Sequence, residues 1–487
     1  MNHCFKVLFV AAEANPLAKA GGLGDVVGSL PRALRQAGHD VRITIPRYSS
    51  INLESYQAIR QGKFTVPFMG RQEEISIVQV LLKDVVPVYV LENRSYFDRP
   101  AIYGENDDLE RFLLFSMAAM EVPKKLNWQP DILHCHDWHA GMVAPLLKIA
   151  HRNDTFYSLC ASIFTIHNLA YQGCFDNFFA ERASLYGYMP PLEDPYRDKC
   201  YSMTGLGIYH SDFVSTVSKT YAREILTPEY GEGLETLLQK RQDSLIGILN
   251  GIDYEQFNPS TDRIIAANYD INSLDRRITN KTALQEKAGL PVNPAIPVLG
   301  FAGRLVEQKG IDLLVDGTGA LESLLVETDI QFVLQGVGDA KYEESFKKLE
   351  SIHPNKVRAF TTLDFSLAQL IFAGSDMFLV PSRFEPCGLT PLVAMCYGSI
   401  PVVRRTGGMA ETVGGCSPEL SACLGFVFEQ YDAGELLRTL KEALTAFKSK
   451  SQWRKLMVRA MQADFSWKPS VPKYEILYEK TRGKGSR

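Results

Sequence analysis

The sequence predicts an α/β protein with its strands in two parallel sheets, one per domain. Three observations predict it. Short apolar runs alternate with longer stretches of helical spacing, the pattern of successive βαβ units. The runs are too numerous for one sheet of ordinary width. At 487 residues the chain also exceeds what a single hydrophobic core usually serves.

The elements follow in order. Phe5–Ala11 reads as the first buried strand, followed by VRITI, DILHC, SIFTI and DFVSTV. A second series comprises VLGFAG, IQFVLQG, MFLVP and IPVV. Helical spacing marks Asp25–Ala37, Leu109–Met120, Ile311–Leu325 and Glu435–Phe447. The strand-like SLIGILN meets the turn signal NGID, with Asn258, Pro259 and Ser260 beyond it, which places a domain boundary near Asn250–Asp262. Trp467, Tyr474, Leu477 and Tyr478 form a last amphipathic stretch, and the polar end KTRGKGSR is expected to be disordered.

Composition excludes several classes. Hydrophobic residues make up 46% and charged residues 22%, which rules against disorder, collagen-like repeats and coiled coil. The balance of 52 basic against 56 acidic residues gives no sign of a nucleic-acid partner. Nine cysteines, an odd number with no CxxC pair, argue against a zinc ribbon or a dense disulfide framework and for reduced thiols in a cytoplasmic protein. No segment approaches the ~20 apolar residues that span a bilayer, so no membrane partner is expected. The N-terminal apolar run contains Lys6 and lacks the h-region of a signal peptide, and no plastid transit segment is recognisable at Met1.

Chemistry-bearing motifs sit where strands end. Lys19-Ala-Gly21-Gly22-Leu-Gly-Asp25 follows the first strand. Glycines between strand and helix let N–H groups approach an anion, and Lys19 adds a full charge. The alternative is a tight turn with Asp25 as the helix cap. The spacing fits neither GxGxxG nor a P-loop, which disfavours a nicotinamide enzyme. Arg304 and Lys309, five apart on a loop opening a helix, suit a diphosphate. Glu385 precedes the N–H groups of Cys387, Gly388, Leu389 and Thr390, which can hold an anion or sugar hydroxyls. Arg404-Arg405-Thr-Gly407-Gly408 repeats the theme of a glycine loop beside positive charge. His134, His136, Asp137 and His139 look like metal ligands, but no further ligand set is evident and a polar cleft edge is the preferred reading. His167 beside Asn168 is well placed for sugar hydroxyls.

KAGGLGDV, HCHDWHAG, TIHNLAYQG, TYAREI, LNGID, RLVEQKG, PSRFEPCGLTPL and RRTGGMAETV occur in this order along almost the whole chain. Together they resemble the bacterial glycogen synthases and plant starch synthases that use nucleotide-activated glucose. The resemblance implies two Rossmann-like, doubly wound domains facing a deep cleft, the GT-B architecture. Residues 1–255 would form an acceptor-binding domain and 256–464 a nucleotide-sugar-binding domain. A helix at 465–480 would cross back to the N-terminal lobe, with a disordered tail at 481–487. It implies a retaining glucosyltransferase that moves glucose from ADP-glucose to the non-reducing O4 of an α-1,4-glucan. No metal or cofactor beyond this co-substrate is expected, and the oligomeric state is left open. Arg304 and Lys309 would stabilise the leaving diphosphate, helped by Gly21 and Gly22, with Lys19 near the phosphates or sugar. His167 and Asn168 would hold the glucose, with Glu385 and the amides of Cys387, Gly388, Leu389 and Thr390 on its other hydroxyls. Asp25, Tyr103, Asp137 and Asn250 would also line the site.

Three positions depart from the family pattern. Ser202–Leu206 lacks an expected lysine, Pro391 stands where glutamine is usual, and Leu363 with Phe365 replaces the expected aromatic platform for the base. These departures keep open a UDP-glucose-preferring α-glucan synthase; a separate alternative is a glucan-binding or priming partner with little turnover.

Overall fold

Runs such as Val7–Val10 and Met377–Val380 are apolar at every position because both sheet faces are covered, and such strands pair in parallel. In the computed structural model, which describes residues 4–315, 317, 319–415 and 423–485, they fall into two units. The first comprises Met1–Gly251 with Trp467–Arg487, the second Ile252–Ser466. The change of unit at Gly251 lies inside the stretch Asn250–Asp262, a few residues before the 255/256 division.

In the first unit the strands are β1 (Lys6–Val10), β2 (Asp40–Pro46), β3 (Ile59–Phe68), β4 (Arg71–Leu82), β5 (Val86–Glu92), β6 (Ile132–His136), β7 (Ala161–Ile166), β8 (Phe213–Thr216) and β9 (Leu245–Gly247). Among the described residues they form one sheet in the order β3-β4-β5-β2-β1-β6-β7-β8-β9. β3, β4 and β5 pair antiparallel, and the remaining neighbours pair in parallel. Sequence reading missed β3–β5. In β3 only Phe64, Val66 and Phe68 are buried, alternating with exposed residues, so no continuous apolar run announces it.

In the second unit β10 (Val298–Ala302), β11 (Gln331–Gln335), β12 (Val357–Phe360), β13 (Met377–Val380), β14 (Ile400–Arg404) and β15 (Phe426–Phe428) form a parallel sheet. Its order is β12-β11-β10-β13-β14-β15. The helix expected over Ile311–Leu325 is two helices, Ile311–Val315 and Ala320–Glu327. Gly317, with φ +63, and Gly319 stand between them, and glycines interrupt a helix readily.

Both sheets reverse their order beside a first strand, at β1/β6 and at β10/β13. Doubly wound sheets bind ligands outside the carboxyl ends of the strands at such switch points. All the motifs singled out above follow strand ends of this kind.

The C-terminal segment belongs to the first unit. Trp467 is buried and its Nε1 donates to Ser29 Oγ at 2.9 Å. Tyr474, Leu477 and Tyr478 join the core that holds Val7, Phe9 and Leu30. The helix runs over Val471–Gly485 and does not end at 480 as expected. Thr481 is fully buried and its hydroxyl donates to Leu477 O at 2.6 Å, which extends the packing into the presumed tail. Ser486 and Arg487 lie outside the described residues, as does Cys416. Seven described cysteines carry free thiols, in keeping with the expectation of reduced thiols and against a dense disulfide framework, and Cys423 is the exception, being disulfide-bonded. Among the described residues no helix is long and apolar enough to cross a membrane.

Trp467→Ala removes a large side chain from this core without a replacement. It should destabilise the N-terminal unit by about 3–5 kcal/mol. Chemical unfolding followed by tryptophan-independent circular dichroism checks this.

Candidate functional site

The glycine loop after β1 is built around a carboxylate that sequence reading overlooked. Glu13 is 2% exposed. Its Oε2 accepts from the N–H groups of Ala20 at 2.6 Å and Gly21 at 2.9 Å, and its Oε1 accepts from Tyr103 Oη at 2.5 Å. A Cβ on Gly24 would meet Glu13 Oε2 at 2.9 Å, so that glycine serves the approach of the carboxylate. Gly21 caps the helix Gly22–Gln36, and Asp25 lies inside its first turn, which corrects the reading of Asp25 as the cap. The Asp25 carboxylate instead accepts from Lys19 Nζ at 2.7 Å and Asn15 Nδ2 at 3.1 Å. Because Gly21 N–H is turned to Glu13, the loop's outward-facing donors begin at the exposed Gly22.

The ends of β6 and β7 carry a buried polar cluster. Asp137 has φ +55, a left-handed conformation rare outside glycine. This turn brings Asp137 Oδ1 to 2.7 Å from the backbone N–H of His167. Burial holds the Asp137 carboxyl up at about 7, although backbone N–H groups of His167 and Asn168 favour its ionised form. His136 Nδ1 lies 3.0 Å from His167 Nε2. His134 lies 3.2 Å from Tyr478 Oη and 2.7 Å from Thr165 Oγ1. His139 stacks on Tyr103, with centroids 4.7 Å apart. Among the described residues no group of three His, Cys, Asp or Glu side chains is arranged to hold a metal ion. At the end of β9, Asn250 is 4% exposed and its Oδ1 is buried without a hydrogen-bond partner. Asn168 is half-buried, with Oδ1 accepting from Ala170 N at 3.1 Å.

In the C-terminal unit, Gly310 has φ +71, and a Cβ there would sit 2.0 Å from Pro381 O. This close approach lays the loop after β10 on the loop after β13. Lys309 Nζ then reaches Glu385 Oε2 at 2.6 Å, and Ser382 Oγ donates to the same oxygen at 3.0 Å. Glu385 Oε1 has no partner among the described residues. Arg304 Nη2 donates to Gln308 Oε1 at 3.2 Å. Gly388, with φ +79, caps the helix Leu389–Cys396. The N–H groups at its start precede any turn that could supply acceptors. The loop after β14 closes on this segment: a Cβ on Gly407 would lie 1.9 Å from Glu385 O. Arg383 and Arg404 lie over the ring of Tyr431, 4.4 and 5.6 Å from its centroid, another partner not foreseen.

The departures have structural accounts in part. Pro391 stands in the first turn of its helix, where no N–H is needed. Thr204 is 2% exposed at the start of the helix Met203–His210, so this segment offers packing and no charge. Leu363 is 74% and Phe365 45% exposed, an apolar surface pair beside the N-cap Asp364.

Two parallel-sheet units with cations, glycine turns and carboxylates at their switch points have the make-up of a two-domain glycosyltransferase. Residues 6–240 match the starch synthase catalytic domain family, and residues 282–456 match glycosyl transferases group 1. The chain is 43% identical over 486 residues to a glycogen synthase of Clostridium beijerinckii, covering 98% of this chain and 99% of that one. It is 42% identical over 490 residues to a glycogen synthase of Thermotoga petrophila, covering 99% and 100%. The catalytic domain of starch synthase IV from Arabidopsis thaliana, solved bound to ADP and acarbose, superposes with a TM-score of 0.91 at 34% identity, covering 99% and 100%. A sucrose-phosphate synthase from Thermosynechococcus elongatus shares the fold, with a TM-score of 0.62 at 18% identity over 98% and 99% of the two chains. The chain belongs to the glycogen synthase and starch synthase family of glucosyltransferases.

The buried histidines set an acid limit on stability. Burial lowers the pKa of His134, His136, His139 and His167, to about 3 for His134 and His167. The unfolded chain protonates them near pH 6.5, so their contribution is complete above that value and is lost as pH falls toward 3. Asp137 works the other way between about 7 and 3.8, but it is one group against several. Unfolding free energy should therefore fall steadily below pH 6.5. In His139→Phe the slope should be shallower by about 1.4 kcal/mol per pH unit, one proton's worth, in denaturant titrations across that range.

Proposed function

We propose that this chain transfers glucose from ADP-glucose to the non-reducing O4 of an α-1,4-glucan with retention of configuration. The observation that carries the reading is the Lys309–Glu385 pair, joined at 2.6 Å beside the start of the helix Leu389–Cys396 at the β10/β13 switch point. A nucleoside diphosphate suits cations at such a place, and the C-terminal unit is assigned to the donor. The N-terminal unit is assigned to the glucan.

Cleavage of the C1–O bond to the diphosphate leaves negative charge on phosphate and an oxocarbenium-like sugar. The new bond forms from acceptor O4 to C1, on the same face, and the O4 proton passes to a diphosphate oxygen. Electrostatic stabilisation of the leaving group is the principal demand. Lys309 and Arg304 are assigned to it, with Lys19 and the amide of Gly22 adding positive potential. His167 and Asn168 are assigned to the glucose hydroxyls, together with Glu385 Oε1 and the amides at 388–390. Asp25, Asp137, Tyr103 and Asn250 shape the surrounding surface. No cofactor beyond the nucleotide sugar enters this scheme. The cytoplasm is the proposed compartment, on the strength of the free thiols. Preference for UDP-glucose is a second reading, favoured by exposed Leu363 where an aromatic platform was expected.

Nucleoside diphosphate release from ADP-glucose and from UDP-glucose, each with and without glycogen, tests the proposal. Glycogen-dependent release of ADP well above UDP is expected. Binding of glycogen with no release from either donor would defeat it. Lys309→Ala should lower turnover at least ~10²-fold, because a charge at the leaving group is lost. Wild-type turnover in a folded variant would remove Lys309 from the chemistry.

A further inference from the structure

The contact between His136 and His167 determines where His167 carries its proton. His136 Nδ1 and His167 Nε2 are 3.0 Å apart, a hydrogen bond that needs one proton between two nitrogens. Either ring can be the donor. The other nitrogen of His136 decides between them. His136 Nε2 is buried and has no hydrogen-bond partner. If His136 Nδ1 accepted, the neutral ring would carry its proton on Nε2, leaving a buried N–H with no acceptor. If His136 Nδ1 donates, Nε2 is a bare lone pair. A buried orphan N–H is the rarer and costlier of the two. Protonating both nitrogens is opposed by burial and by the neighbouring His134 and His167.

We infer that His136 is a positioning residue: it donates Nδ1–H to His167 Nε2 and thereby fixes His167 as the Nδ1–H tautomer. His167 Nδ1 has no partner among the described residues, so its N–H is available to a ligand. The His136 ring cannot readily turn to offer anything else. It stacks on His134 with centroids 4.4 Å apart and contacts the Phe9 ring at 4.8 Å. His134 is itself held by Tyr478 and Thr165, and Thr165 by Ser215 at 2.6 Å. Asp137 holds the backbone of His167.

The consequence for turnover rests on the reading that His167 meets the glucose; the tautomer does not. A neutral N–H donor can orient a sugar hydroxyl without setting a positive charge beside an oxocarbenium-like centre. An imidazolium there would oppose the reaction.

Long-range ¹H–¹⁵N correlation spectra of the full chain labelled at histidine report each ring's tautomer. The His167 signals are identified by their loss in His167→Gln. The expected wild-type result is protonated Nδ1 and bare Nε2. A protonated Nε2 on His167 would overturn the inference whatever the activity. His136→Phe keeps a ring in the stack and removes the donor. It should give mixed His167 tautomers and lower kcat by about tenfold or more, with KM for the donor changed far less. His136→Asn retains an N–H near the same place and should restore most of kcat. An unmixed His167 tautomer and unchanged kcat in folded His136→Phe would also overturn the inference. Absence of glucan-dependent turnover in the wild type would count against the proposed function and leave the tautomer result standing.

Discussion

The C-terminal site depends on backbone approaching backbone. Gly310 lies against the carbonyl of Pro381, and Gly407 lies against that of Glu385. A single methyl group at either position would collide with main chain, which cannot move aside as a side chain can. These contacts bring loops from β10, β13 and β14 to one strand edge. Lys309 meets Glu385 as a result, and the ion pair follows from the packing.

The N-terminal unit uses a different device. Its polar residues are buried and mutually engaged. Glu13 gathers the glycine loop and Tyr103, Asp137 holds the chain at His167, and stacked histidines reach back to the C-terminal helix. A buried polar cluster with most partners satisfied is rigid, and a sugar needs fixed donors and acceptors.

Much of this was legible in the sequence because parallel strands buried on both faces leave continuous apolar runs. DILHC and VLGFAG coincide closely with β6 and β10. The motifs were legible because glycines and charges cluster where those runs stop. Most of what escaped notice lacked either signal. β3 alternates buried and exposed residues, and the break between Ile311–Val315 and Ala320–Glu327 hides inside an apolar helical pattern. β5, apolar from Val86 to Leu91, carried the signal and was passed over. Glu13 is a lone acid in an apolar stretch, and its two amide partners can be found only once the loop has folded back. His136 was visible within HCHDWH, but ligand spacing drew attention to metals. Its partner, thirty-one residues on, is set by the pairing of β6 with β7.

The segment Trp467–Arg487 completes the first unit although the whole of Ile252–Ser466 intervenes. During synthesis the N-terminal sheet is made first, yet Trp467, Tyr474, Leu477 and Tyr478 leave the ribosome only after the whole of the second unit. Until then the core around Phe9 and Leu30 lacks its cover, and His134 lacks Tyr478. The nascent N-terminal unit must wait with apolar surface open to water while a second unit is made and folded. Synthesis of the stretch from Trp467 to Tyr478, and not N-terminal folding alone, is therefore the event that seals the first unit, and a chain interrupted after Ser466 carries an unfinished core.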